Sequence, residues 1–173
     1  MKTTPPARKP GYVFVARFFA VLILLYAIVS APPVNERVIV PFTKAIVSAT
    51  AAVLHVAREP IVLDGTVIRT PTFALDVRNG CNAVEAMMLL AAAMLAFPAT
   101  IASRVAGLLA ASIAIQLLNL IRVSSLVWLG EHHRRIFDVV HVAVWQTVVI
   151  LAAVTMFVLW SVRYARKPLP ARS

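Results

Sequence analysis

Three residues of this sequence have the types needed for covalent chemistry in an apolar setting: Cys81, Arg122 and His141. A thiolate is a strong nucleophile. A free thiol titrates near pH ~8.5, and a nearby cation or a helix N-terminus lowers that value. Cys81 stands at the start of an apolar run, so a helix N-terminus is on offer, and Arg122 could supply the cation. An imidazole such as His141 could take or give a proton. Arg122 could also stabilise an oxyanion during acyl transfer. The plain alternative reads Cys81 as a small buried apolar residue, which cysteine often is.

Further polar residues cluster around these three in sequence. Glu85 lies four residues after Cys81, on the same helix face. A buried carboxylate needs a partner, and Arg122, Arg78 or Arg69 could provide one. Asn119 belongs to a stripe at three- and four-residue steps, Ser112, Gln116, Asn119, Arg122 and Ser125, which must face a bundle interior. For Ser112 and Gln116 the stripe reads best as hydrogen-bonding glue between helices. Arg122 reads differently, because an arginine inside a span costs roughly 2.5–3.5 kcal/mol and calls for a cavity or a partner. Asp138, three residues before His141, could orient that imidazole or cap its helix. His132 and His133 lack the cysteine or carboxylate spacing of a zinc site and read as a solvated loop. No metal and no cofactor is expected.

The elements that carry these residues follow from composition. Of 173 residues, 61% are hydrophobic and only 14% charged. A soluble domain is about a quarter charged. The sequence therefore excludes a disordered tail, an ordinary soluble enzyme and a disulfide scaffold; with a single cysteine no intrachain bridge is possible. It predicts an all-α integral membrane protein in contact with the lipid bilayer. The net charge of +10 reads as cytoplasmic ends, not as a nucleic-acid surface.

Four strong spans are predicted, about 12–30, 82–98, 105–127 and 137–160, within one membrane domain 1–173. The first, preceded by Lys2, Arg8 and Lys9, reads as an uncleaved helix because no small-x-small site follows it. Lys2, Arg8 and Lys9 at one end, and Arg163, Arg166, Lys167 and Arg172 at the other, favour cytoplasmic placement of both termini. That requires an even number of spans. Residues 38–57, broken by Pro41 and Lys44, are therefore expected outside as an interfacial or re-entrant helix, within an outer segment 31–81. Five spans with one misplaced tail is the alternative. Asp64-Gly65 between β-rich runs predicts a small extracytoplasmic β-hairpin. Under this topology Cys81, Arg122 and His141 all lie within roughly 10 Å of the outer boundary.

Three stretches resemble one family in order. Arg78-Asn79-Gly80-Cys81-Asn82-Ala83-Val84-Glu85-Ala86-Met87-Met88 resembles the cysteine segment of exosortases and archaeosortases. Asn119-Leu120-Ile121-Arg122-Val123 resembles their arginine segment. Asp138 to Gln146, around His141, resembles their histidine segment. The resemblance covers roughly 12–165 and is greatest to the short exosortase H type. Many relatives have glycine where this chain has Ala83.

The resemblance implies a membrane-embedded cysteine peptidase or transpeptidase. Its partners would be secreted protein substrates ending in a C-terminal sorting tail of short motif, transmembrane helix and basic cluster. Cys81 would be the nucleophile, Arg122 the charge stabiliser and His141 the acid/base, at the outer side of a bacterial cytoplasmic membrane. A non-catalytic membrane subunit of an envelope export or polysaccharide assembly is the competing reading. A small transporter is a third, and four spans without an internal repeat argue against it.

Overall fold

The computed structural model describes residues 11–165. The basic tail residues Lys2, Arg8, Lys9, Arg166, Lys167 and Arg172 lie outside them. Helix α1 is Gly11–Ser30, and none of its residues is buried. That is the surface an apolar helix presents to lipid. Helix α2 runs Pro32–Val56. A short sheet follows, with strands β1 Val62–Asp64, β2 Val67–Arg69 and β3 Ala74–Asp76. Then come α3 Val84–Ala96, α4 Ile101–His132 and α5 Arg134–Tyr164.

Four helices, α1, α2, α4 and α5, are long and apolar enough to cross a membrane by length and composition. The set differs from the predicted one in one member. Pro41 was expected to break the segment after residue 38. Instead a π-turn over Asn35–Ile39 precedes it, and Pro41 enters the following α segment in its first turn. There a missing N–H costs no helix bond. The 25-residue α2 thus meets the length criterion, at about 1.5 Å per residue. Helix α3, predicted over 82–98, has only 13 residues. Its start is delayed by the left-handed Ala83 and its end is set before Pro98.

The sheet has one strand more than the predicted hairpin. Its order is β1-β2-β3, antiparallel throughout, with Leu63 opposite Ile68 and Ile68 opposite Leu75. Gly65, at φ +64°, makes the first turn. The second closes where the Thr70 amide donates to the Phe73 carbonyl at 2.8 Å and the Thr70 hydroxyl accepts the Phe73 amide at 3.1 Å.

Alternation puts Ile68 and Leu75 on one face, and both are buried. They join Val47 and Leu54 of α2 and Val123, Leu126 and Val127 of α4 in one core. Cys81, Phe137, Val140 and Trp145 pack against it. A second core joins Leu90 and Met94 of α3 to Ala111 and Ile115 of α4 and Ala153 and Trp160 of α5. Helix α3 is therefore the central post, touching α1, α4 and α5. Its first turn carries the Cys81 loop between the two cores.

Candidate active site

The loop Arg78–Ala83 is shaped by its own backbone. Gly80 has φ +90° and Ala83 φ +60°. The first suits glycine, and the second costs any side chain about 1–2 kcal/mol. Glu85, from the first turn of α3, reaches back and accepts the Gly80 amide at 2.9 Å. No ion pair joins Glu85 to Arg122, Arg78 or Arg69 among the described residues. The expected partner is replaced by a backbone N–H, which the short loop brings within reach. Arg78 pairs instead with Asp76, and Arg69 with Asp64.

Asn82 is the hub of the loop and is completely buried. Its amide nitrogen donates to the Thr43 hydroxyl of α2 at 3.0 Å and to Asn79 Oδ1 at 3.1 Å. Its carbonyl oxygen Oδ1 accepts the Val84 amide at 3.1 Å. Its backbone carbonyl accepts from Gln116 of α4 at 3.1 Å. A buried polar network of this kind is costly to break. The sequence reading missed Asn82 and Thr43 and gave Gln116 only a helix-gluing part. The available signal was an asparagine beside the cysteine and a threonine in an apolar run.

The three residues singled out for chemistry do converge. Cys81 Sγ lies 3.3 Å from His141 Nε2. Arg122, 3% exposed, donates through Nη1 to the Gly80 carbonyl at 3.3 Å. His141 sits inside a π-turn, Val139–Trp145, of α5. Such turns are rare and recur at functional sites. Asp138 makes no hydrogen bond to His141 and caps nothing with its side chain among the described residues. It is exposed, and Phe137 stacks on the imidazole instead, at 5.5 Å between ring centroids. Asn119 is fully buried in α4 and bonds neither Cys81 nor His141 among the described residues. His132 ends α4, exposed, at 3.2 Å from Glu59.

The electrostatics correct one expectation. Burial pushes the Cys81 thiol up, the Arg122 charge pulls it down, and burial wins. Cys81 does not itself open the helix as predicted, because α3 begins at Val84. Near neutral pH Cys81 is a thiol facing an imidazole, a group that can take its proton.

Two openings flank the loop. On one side a partly polar pocket of about 740 Å³ is lined by Asn35, Thr43, Thr66, Arg78 and Asn79. On the other an apolar groove of about 1100 Å³ runs between α2 and α4, past Ala45, Ala49, Met87, Ser112, Gln116 and Leu120. Thr43 and Gln116, one in each, both bond Asn82.

No match is found among curated proteins or solved structures. A family model described as transmembrane exosortase (Exosortase_EpsH) matches residues 12–163, which takes in the Cys81 loop, Arg122 and His141. With that match over nearly all the described residues, on top of the apolar helices, the chain belongs to the transmembrane exosortase family and is a multi-pass membrane protein.

Proposed function

We propose that this family member is a cysteine peptidase or transpeptidase that cuts the C-terminal sorting tail of secreted proteins by acyl transfer. The observation that carries the reading is the 3.3 Å approach of Cys81 Sγ to His141 Nε2, with the Arg122 guanidinium on the neighbouring Gly80 carbonyl.

In this reading His141 removes the thiol proton as Sγ attacks the substrate carbonyl carbon. The Arg122 cation stabilises the developing oxyanion. The tetrahedral species collapses, the C–N bond breaks, and His141 returns the proton to the leaving amine. The tail departs, leaving a thioester on Cys81. Water or an amine then attacks that thioester, passes its proton to His141 and regenerates the thiol. No metal or cofactor takes part in these steps. The loop's place between a polar pocket and an apolar groove supports a substrate cut where an extended polar segment meets a transmembrane helix. Glu85 and Asn82 hold the loop. Asn119 lines the buried stripe one turn before Arg122.

The sign of the tails favours both termini in the cytoplasm; with α2, the most buried of the four long helices, lying against the outer face and α3 making the second crossing, the site lies at the outer face of a bacterial cytoplasmic membrane. A non-catalytic subunit would need neither thiol nor imidazole. The deciding experiment is processing of a tagged sorting-tail substrate in cells carrying Cys81→Ala or Cys81→Ser. Both variants should accumulate the uncut form. Normal processing by either would remove the catalytic assignment.

A further inference from the structure

Among the described residues no carboxylate hydrogen-bonds His141, so packing must fix the imidazole against Cys81. The aromatic ring packed against it is Phe137, tilted by 39° at 5.5 Å between centroids. Phe137 is held in turn by Phe73, edge-on at 5.0 Å. Phe73 belongs to the turn between β2 and β3. Its ring lies against the backbone of Gly130 in α4, where a Cβ would come within 2.2 Å of it. The same turn is anchored to Glu131. One carboxylate oxygen accepts the Thr70 hydroxyl at 2.5 Å, the Thr72 hydroxyl at 2.9 Å and the Thr72 amide at 3.2 Å. Arg134 donates to the Thr72 carbonyl and lies 5.4 Å over the Phe73 ring.

We propose that the outer sheet positions His141: Glu131 and Gly130 seat Phe73, Phe73 seats Phe137, and Phe137 fixes the imidazole on Cys81. Gly130, Glu131, Phe73 and Phe137 are positioning residues, acting through His141. The proposal rests on the reading that His141 activates Cys81. Aromatic stacking suits the task because it fixes a plane without adding charge beside the thiol. Gly130 lies in the last turn of α4, and the glycine there leaves the space that the Phe73 ring takes.

The test is a double-mutant cycle on the full-length protein in detergent, read by alkylation of Cys81 with iodoacetamide at pH 7. His141→Ala should slow alkylation by about tenfold or more, as loss of a general base does. Gly130→Ala should slow it comparably in the native background and not at all in the His141→Ala background. Glu131→Ala should behave like Gly130→Ala, and Glu131→Gln, which keeps an acceptor oxygen, should recover much of the rate. Processing by Gly130→Ala should lose kcat with KM unchanged. Equal losses in both backgrounds, or no loss from either Gly130→Ala or Glu131→Ala, overturn the proposal. An alkylation rate indifferent to His141→Ala overturns it as well. If Cys81→Ala still cuts substrate, the peptidase reading falls while the alkylation cycle still decides the positioning.

Discussion

The guanidinium of Arg122 is tied to the carbonyl of Gly80, the residue before Cys81, at 3.3 Å. The Arg122 cation thus holds the Cys81 loop, and in the proposed mechanism it also faces the reacting carbonyl. A lysine would keep the charge and lose the planar fork that reaches a carbonyl and an oxyanion together. Arg122→Lys should therefore lower kcat by about 10²–10³, the usual cost of losing one oxyanion donor. Arg122→Ala should abolish processing, because it removes the charge as well. Single-turnover cleavage of a sorting-tail peptide in detergent would measure both. A lysine variant with full kcat would show that the fork is dispensable.

The turn at Ala83 allows a prediction with opposed effects. The residue sits at φ +60° and is 3% exposed. Glycine would relieve about 1–2 kcal/mol of left-handed strain. It would lose about 0.8 kcal/mol of methyl burial and roughly 0.5–1 kcal/mol of backbone entropy. These nearly cancel, so Ala83→Gly should leave thermal stability within about 1 kcal/mol of the native protein. Ala83→Val should be clearly destabilising, since a β-branched side chain at positive φ is a genuine outlier. Thermal unfolding in detergent compares the two. A strongly destabilised glycine variant would mean that the methyl packing outweighs the strain.

Asn82 should prove the residue on which the loop depends most. Replacing it with alanine strands the buried Val84 amide and takes from the buried Thr43 hydroxyl the N–H it accepts, leaving that hydroxyl only its bond to the Ile39 carbonyl. Each buried group stranded in this way costs about 1–3 kcal/mol. Thr43→Val, which removes one partner and keeps the shape, should cost less. Gln116→Leu should leave stability nearly unchanged while slowing cleavage, because Gln116 fixes the carbonyl of Asn82 next to the nucleophile. Paired stability and activity measurements separate the cases. Equal losses of stability in all three variants would argue for a general core effect.

Composition carried most of the fold to the page. An apolar chain with few charges can only be a helical membrane protein or a barrel, and its helices were placed by apolar runs. The convergence of Cys81, Arg122 and His141 was legible for the same reason: each is costly in an apolar setting, so each had to face the interior. Three things were not legible. The π-turn that rescues the helix before Pro41 is a backbone accommodation that no residue type announces. The exchange of Glu85's ionic partner for the Gly80 amide depends on loop geometry of a few ångströms. The aromatic relay from Phe73 to Phe137 joins residues 64 apart, one in a turn of the sheet and one in α5, and periodicity does not report contacts of that kind.

The pH dependence of Cys81 follows from the balance of burial and charge. Burial raises the thiol pKa more than Arg122 lowers it. The thiolate is therefore the minor form at neutral pH, and its fraction grows about tenfold per pH unit until the raised value is passed. Alkylation of the His141→Ala variant, free of base assistance, should still be rising at pH 8.5 and above. Adding Arg122→Gln removes the one opposing term and should move the midpoint higher still. The same shift bears on stability. The unfolded chain gives up this proton at a lower pH than the folded one, so the contribution is complete below the unfolded pKa and is lost as pH rises through the folded one. Cys81→Ser, whose hydroxyl does not titrate in this range, should flatten that alkaline loss. A midpoint below the ordinary thiol value would reverse the sign: it would mean that Arg122 and the first turn of α3 outweigh burial, and that the nucleophile is a thiolate before His141 acts.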